Sequence, residues 1–133
     1  MIDTPVAQVT ARPPAILVVE DEVLIRVAIV EHLQDCGYHV FGVSNADEAI
    51  AVLDRNEVYI DLVFTDVQMP GKMDGWELAA WIREHHPNKG VIVTSAHHRQ
   101  AAHELCQELP FLSKPYDFDD VAARIATLFR KAA

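Results

Sequence analysis

Five short apolar runs constrain this chain most: residues 16–20, 39–43, 60–65, 91–95 and 111–114. A strand with one wet face alternates apolar and polar residues. The central runs lack that alternation, as strands covered on both faces do. Between the runs lie stretches with helical spacing. Residues 22–36 place Leu24, Ala28 and Leu33 near one face and end at Cys36 and Gly37, where glycine supplies a left-handed cap. Residues 45–55 open on the capping residue Asn45 and carry Ala46, Ile50 and Leu53 on one side. Residues 75–86 follow Asp74, a second capping residue, and stop before Pro87. A short helix is expected over 101–108. Another, over 118–129, starts after Asp117 with Asp119 and Asp120 in its first turn. Strand and helix thus alternate five times. Helical crossovers join parallel strands with a right-handed sense, so the pattern predicts an α/β fold, a doubly wound (βα)5 parallel sheet with helices on both faces.

A chain of 133 residues, half of them apolar and 23% charged, suits one globular domain. Residues 1–14 carry three prolines and no period, and read as a flexible N-terminal tail; residues 15–133 form the domain. With 20 acidic against 11 basic residues the formal net charge is -9, which disfavours nucleic acid and anionic membrane surfaces as partners. No apolar run is long enough to cross a bilayer. Two cysteines, Cys36 and Cys106, read as buried thiols, and with no signal-like segment they favour a reduced, cytoplasmic setting.

In an open parallel sheet, ligands collect beyond the carboxyl ends of the strands. Those ends carry Glu20, Asp21 and Glu22 after the first strand, Asp66 after the third, Ser95 after the fourth and Lys114 after the fifth. Carboxylates gathered in one crevice repel one another unless a cation neutralises them, and an all-oxygen set suits Mg²⁺. An aspartate beside such a cation is a competent nucleophile toward phosphorus, and Asp66, on the central strand, is the candidate. Lys114 and Ser95 supply the ammonium and hydroxyl that compensate charge on a phosphoryl group. Each alone has an ordinary surface or capping role; it is their joint placement at successive strand ends that carries the reading.

The segments Ile16-Leu-Val-Val-Glu-Asp-Glu22, Leu62-Val-Phe-Thr-Asp-Val-Gln-Met-Pro-Gly71, Val91-Ile-Val-Thr-Ser-Ala96 and Leu112-Ser-Lys-Pro-Tyr116 closely resemble the receiver (response-regulator) domain of two-component phosphorelay signalling. The resemblance implies the flavodoxin-like strand order 2-1-3-4-5. It implies that Asp66 accepts a phosphoryl group from a histidine kinase or histidine phosphotransfer protein. Asp21, Asp66 and the backbone carbonyl of Gln68 would bind Mg²⁺ directly, and Glu20 through a water. Lys114 would pair with the phosphoryl oxygens. Ser95 matches the switch hydroxyl better than Thr94 does, and Phe111 matches the aromatic switch position. A histidine-bearing helical bundle would dock near Leu24, Ile25 and Ala28, and an effector of unknown identity would read the output.

The chain departs from the family pattern in three places. The acidic pair is Glu20 and Asp21 rather than two aspartates, which keeps the charge and phosphorylation competence. Lys72 lengthens the loop after Asp66 by one residue, and the interval from Ser95 to Lys114 is short by about one helical turn, so an atypical output surface is expected. The reading is a single-domain response regulator that catalyses only its own phosphoryl transfer and dephosphorylation. The alternatives are a receiver excised from a hybrid histidine kinase and an aspartate-nucleophile phosphohydrolase. The latter class carries a second aspartate two positions after the nucleophile, where this chain has Gln68. A pseudo-receiver would have lost Asp66, Lys114 or the acidic pair, all of which remain. Among the seven histidines, His97, His98 and His103 lack the spacing of a preorganised zinc pair, though His98 is placed to influence phosphate hydrolysis. Trp76 and Trp81 read as one core and one surface residue.

Overall fold

The computed structural model describes residues 12–95 and 110–132. The expected helix over 101–108, His97, His98, His103, Cys106 and most of the expected tail lie outside them. Five strands, β1 (Ala15–Val19), β2 (His39–Val43), β3 (Leu62–Asp66), β4 (Gly90–Ser95) and β5 (Phe111–Ser113), pair in parallel in the order β2-β1-β3-β4-β5. Four helices are described: α1 (Val23–Asp35), α2 (Ala46–Arg55), α3 (Gly75–His85) and α4 (Phe118–Ala132). The flavodoxin-like order read from the family resemblance is the one observed.

Strand alternation divides the core in two. Leu17, Val19, Val63 and Val93 point to one face, where Ala49 and Leu53 of α2 and Trp76, Leu78 and Ile82 of α3 cover them. Ile16, Val18, Phe64 and Ile92 point to the other, beneath Ile29 and Leu33 of α1 and Val121 and Ile125 of α4. Both faces of β1, β3 and β4 are dry, which is why the central runs lack polar alternation. Burying each of these side chains contributes about 2 kcal/mol before entropy is counted.

The helix starts follow the capping chemistry read from the sequence. The Asn45 side chain accepts from the Glu48 N–H at 2.9 Å. Asp74 accepts from the Glu77 N–H at 2.9 Å while the Glu77 carboxylate takes the Asp74 N–H at 2.9 Å, a reciprocal capping box. Asp117 accepts from the Asp120 N–H at 2.8 Å. At the end of α1, Gly37 has φ +101° and donates to the Gln34 carbonyl at 2.9 Å, a backbone position that disfavours a side chain.

Two expectations fail. The buried face of α1 is formed by Ile29 and Leu33, and Leu24 is 85% exposed. Cys36 is also exposed, because the helix ends there and turns outward into Gly37. Trp76 is buried at 2% exposure, and Trp81 is half-buried, stacked on His85. No helix among the described residues is long and apolar enough to cross a membrane.

Candidate functional site

The register that aligns β1, β3, β4 and β5 brings their carboxyl ends to one rim. Glu20, just past β1, is buried at 2% exposure and held by three contacts. Its N–H donates to the Val43 carbonyl at 3.0 Å, its carbonyl accepts from Arg26 at 2.8 Å, and its Oε2 accepts from the Glu22 N–H at 3.1 Å. Asp66 closes β3 at 6% exposure. Its Oδ1 accepts from the Gln68 N–H at 3.3 Å and its Oδ2 lies 2.9 Å from Lys114 Nζ. The Lys114 backbone is fixed in turn, donating its N–H to the Ser95 carbonyl at 2.9 Å, and the Val67 N–H donates to the Thr94 carbonyl at 2.9 Å.

Carboxylate oxygens of Glu20, Asp21 and Asp66 all lie within 4.8 Å of one another, and this is the one such acidic or metal-ligating group among the described residues. Burial pushes the Glu20 carboxyl up to about 7, and the negative charges of Asp66 and Asp21 add to the rise against the Glu22 N–H and Lys114. Burial alone would lower Lys114, but the hydrogen bond and charge of Asp66, with Glu20 behind them, more than offset it and raise its pKa. The site therefore holds more negative charge than its single ammonium neutralises. Three hard oxygen donors, two of them buried and one of these, Glu20, resisting ionisation, fit a small divalent cation such as Mg²⁺.

The other expected residues fall around this rim. Ser95 is buried at 1% exposure at the end of β4 and pairs with Ser113, whereas Thr94 pairs with Asp66. Alternation along β4 puts Ser95 on the face of Val93, which is also the face carrying Trp76 and Phe111. The half-buried Phe111 ring stacks on Trp76 with centroids 5.9 Å apart and planes 7° from parallel. On α1, Leu24 stands in solvent while Ile25 and Ala28 are half-buried. Ile25 lines a cleft of about 480 Å³ with Lys114, Pro115, Tyr116 and Phe118.

Sequence reasoning missed Arg26, which pins the Glu20 carbonyl, and Gly75. A Cβ at Gly75 would sit 2.2 Å from the Asp66 carbonyl oxygen, so α3 begins in direct backbone contact with the residue that carries the key carboxylate. The available signal was a glycine in the first helical position straight after a capping aspartate, where nothing but close approach calls for one.

Comparison with known proteins agrees with this geometry. Residues 16–126 match the response regulator receiver domain family. The sensory transduction protein BceR of Halalkalibacterium halodurans is 32% identical over 119 residues, which cover 87% of this chain and 50% of that protein. The sensor kinase CckA of Brucella abortus is 31% identical over 122 residues, covering 87% of this chain and 12% of the kinase. The chain thus spans half or less of the length of these curated relatives. Among solved structures, the response regulator TrrA of Thermotoga maritima in complex with Mg(2+)-BeF superposes with a TM-score of 0.77 at 29% identity, over 86% of this chain and 98% of that one. The chain belongs to the response regulator receiver domain family.

Proposed function

We propose that Asp66 is the phosphoacceptor of a phosphorelay, taking its phosphoryl group from a histidine kinase or histidine phosphotransfer protein. The observation that carries this reading is the convergence of Glu20, Asp21 and Asp66 oxygens within 4.8 Å, with Lys114 Nζ 2.9 Å from Asp66. One Asp66 oxygen attacks phosphorus, the P–N bond to the donor imidazole breaks, and the electron pair stays on the imidazole, which takes up a proton. Lys114 balances charge on the phosphoryl oxygens, and the Ser95 hydroxyl meets one of them after transfer. Asp21, Asp66 and the Gln68 carbonyl would hold Mg²⁺, with Glu20 reaching it through a water. Bound there, Mg²⁺ offsets the carboxylates and the negative phosphoryl oxygens. The relative crystallised with Mg(2+)-BeF supports that cofactor.

Phosphorylation adds about 1.5 to 2 negative charges and three acceptor oxygens to the rim. The movement of Ser95 toward them frees space for Phe111, and the rotamer of Phe111 alters the surface read by an effector. The exposed Val23, Leu24 and Val27 on α1, beside half-buried Ile25 and Ala28, offer an apolar strip for the helical bundle of the donor. The domain works by binding in a cytoplasmic setting, as a stand-alone regulator or as the receiver of a hybrid kinase. Incubation with acetyl phosphate and Mg²⁺ followed by intact-mass measurement tests the assignment. Wild type gains one phosphate mass and Asp66→Ala gains none; an unlabelled wild type or a labelled variant refutes it.

A further inference from the structure

We propose that Trp76 links the phosphorylation site to Phe111, so that the chemical state of Asp66 reaches the switch aromatic through the first turn of α3 as well as through Ser95. This inference rests on the phosphoacceptor reading and concerns how that site is coupled to its output.

The link is continuous in the structure. Gly75 lies so close to β3 that a Cβ there would meet the Asp66 carbonyl oxygen at 2.2 Å and Val67 Cα at 2.7 Å. The Gly75 N–H also donates to the Val67 carbonyl at 2.9 Å. A displacement of the Asp66 backbone is therefore passed directly to the start of α3, because close-packed backbone has no slack to absorb it. The next residue is Trp76, 2% exposed, whose ring lies 5.9 Å from Phe111 and 7° from parallel to it. Stacked rings hold each other's rotamers, so a shift of the indole changes the preferred position of the Phe111 ring. The Phe111 carbonyl accepts from Arg124 at 2.9 Å, which carries the connection to α4. The acceptor, α3, β5 and, around the β5 edge, α4 are thus joined without passing through the β4 hydroxyl.

The sequence holds two tryptophans, so Trp81→Phe leaves Trp76 as the sole indole. The test titrates that variant with Mg²⁺ and beryllium fluoride while following tryptophan emission, and measures its phosphate uptake from acetyl phosphate by intact mass. The expected result is an emission change that saturates with beryllium fluoride, is absent in Trp81→Phe/Asp66→Asn, and persists in Trp81→Phe/Ser95→Ala, in which the hydroxyl route is closed. Far-UV circular dichroism verifies that the alanine variant is folded. Phosphate uptake with silent emission overturns the link alone. An emission change lost in Trp81→Phe/Ser95→Ala while that variant still takes up phosphate also overturns it, since Trp76 would then follow Phe111 through the hydroxyl instead of leading it. Absence of phosphate uptake in wild type and Trp81→Phe alike overturns the phosphoacceptor reading, and the link with it.

Discussion

Gly75→Ala is the substitution for which the backbone contact beneath Asp66 makes the sharpest forecast. Alanine is the better helix former by up to about 1 kcal/mol, so an exposed helical glycine would gain from the change. Here the added methyl would lie 2.2 Å from the Asp66 carbonyl oxygen, 2.7 Å from Val67 Cα and 2.8 Å from the Asp66 carbonyl carbon. All three are backbone atoms, at the end of the central strand or just beyond it, and none can rotate away as a side chain would. Overpacking of this kind costs about 1–3 kcal/mol, and rigid neighbours place it at the upper end. Against the propensity gain, a net loss of about 2 kcal/mol remains, or roughly 8 °C in Tm for a domain of this size. Because the atoms that must move belong to Asp66 and Val67, labelling by acetyl phosphate slows as well.

Gly37→Ala separates steric from conformational cost. Gly37 has φ +101° and open space around its would-be Cβ, so that variant pays only left-handed strain, about 1 kcal/mol, and labels like wild type. Thermal unfolding by circular dichroism and the rate of phosphate incorporation read both effects. A Gly75→Ala protein with wild-type Tm and wild-type labelling would refute the claim that α3 bears rigidly on the acceptor.

Three further outcomes follow from the geometry. Glu20 has a folded pKa of about 7 against an ordinary value of 4.5, so the folded state retains a proton that the unfolded state has released between those values. Its contribution to stability is full below pH 4.5 and is lost as pH rises through 7; without metal, wild type should lose Tm across that window relative to Glu20→Gln, and parallel curves would contradict the sign. Asp74→Ala removes the acceptor of a complete capping box and should cost about 1 kcal/mol in urea unfolding; an unchanged midpoint would show the cap to be idle. Leu24→Glu alters a side chain 85% exposed, so stability should stay within about 0.5 kcal/mol and acetyl phosphate labelling should be unaffected. Transfer from a phosphohistidine protein should slow in that variant, and an undiminished rate would remove α1 from the docking surface.

Legibility in the sequence followed the strength of each periodic or chemical signal. The sheet was legible because strands dry on both faces leave unbroken apolar runs, and the one adjustment of note is that Ile60, though fully buried, precedes β3 instead of opening it. The rim followed from topology, since carboxyl ends of parallel strands share one edge and Glu20, Asp21, Asp66 and Lys114 all stand there. The face of α1 was not legible. Val23, Leu24, Ile25, Val27, Ala28, Ile29 and Val30 make that helix apolar almost all round, so spacing has no phase to reveal, and the face it suggests through Leu24, Ala28 and Leu33 is not the one that Ile29 and Leu33 bury. That same excess of apolar residues is the physical ground for the proposed docking strip, because a helix that needs only Ile29 and Leu33 fully buried still presents Val23, Leu24 and Val27 to solvent. The stacking of Trp76 on Phe111 was hidden for another reason: it joins residues 35 positions apart through side-chain orientations that no local pattern encodes, and a folded backbone was needed to bring them together.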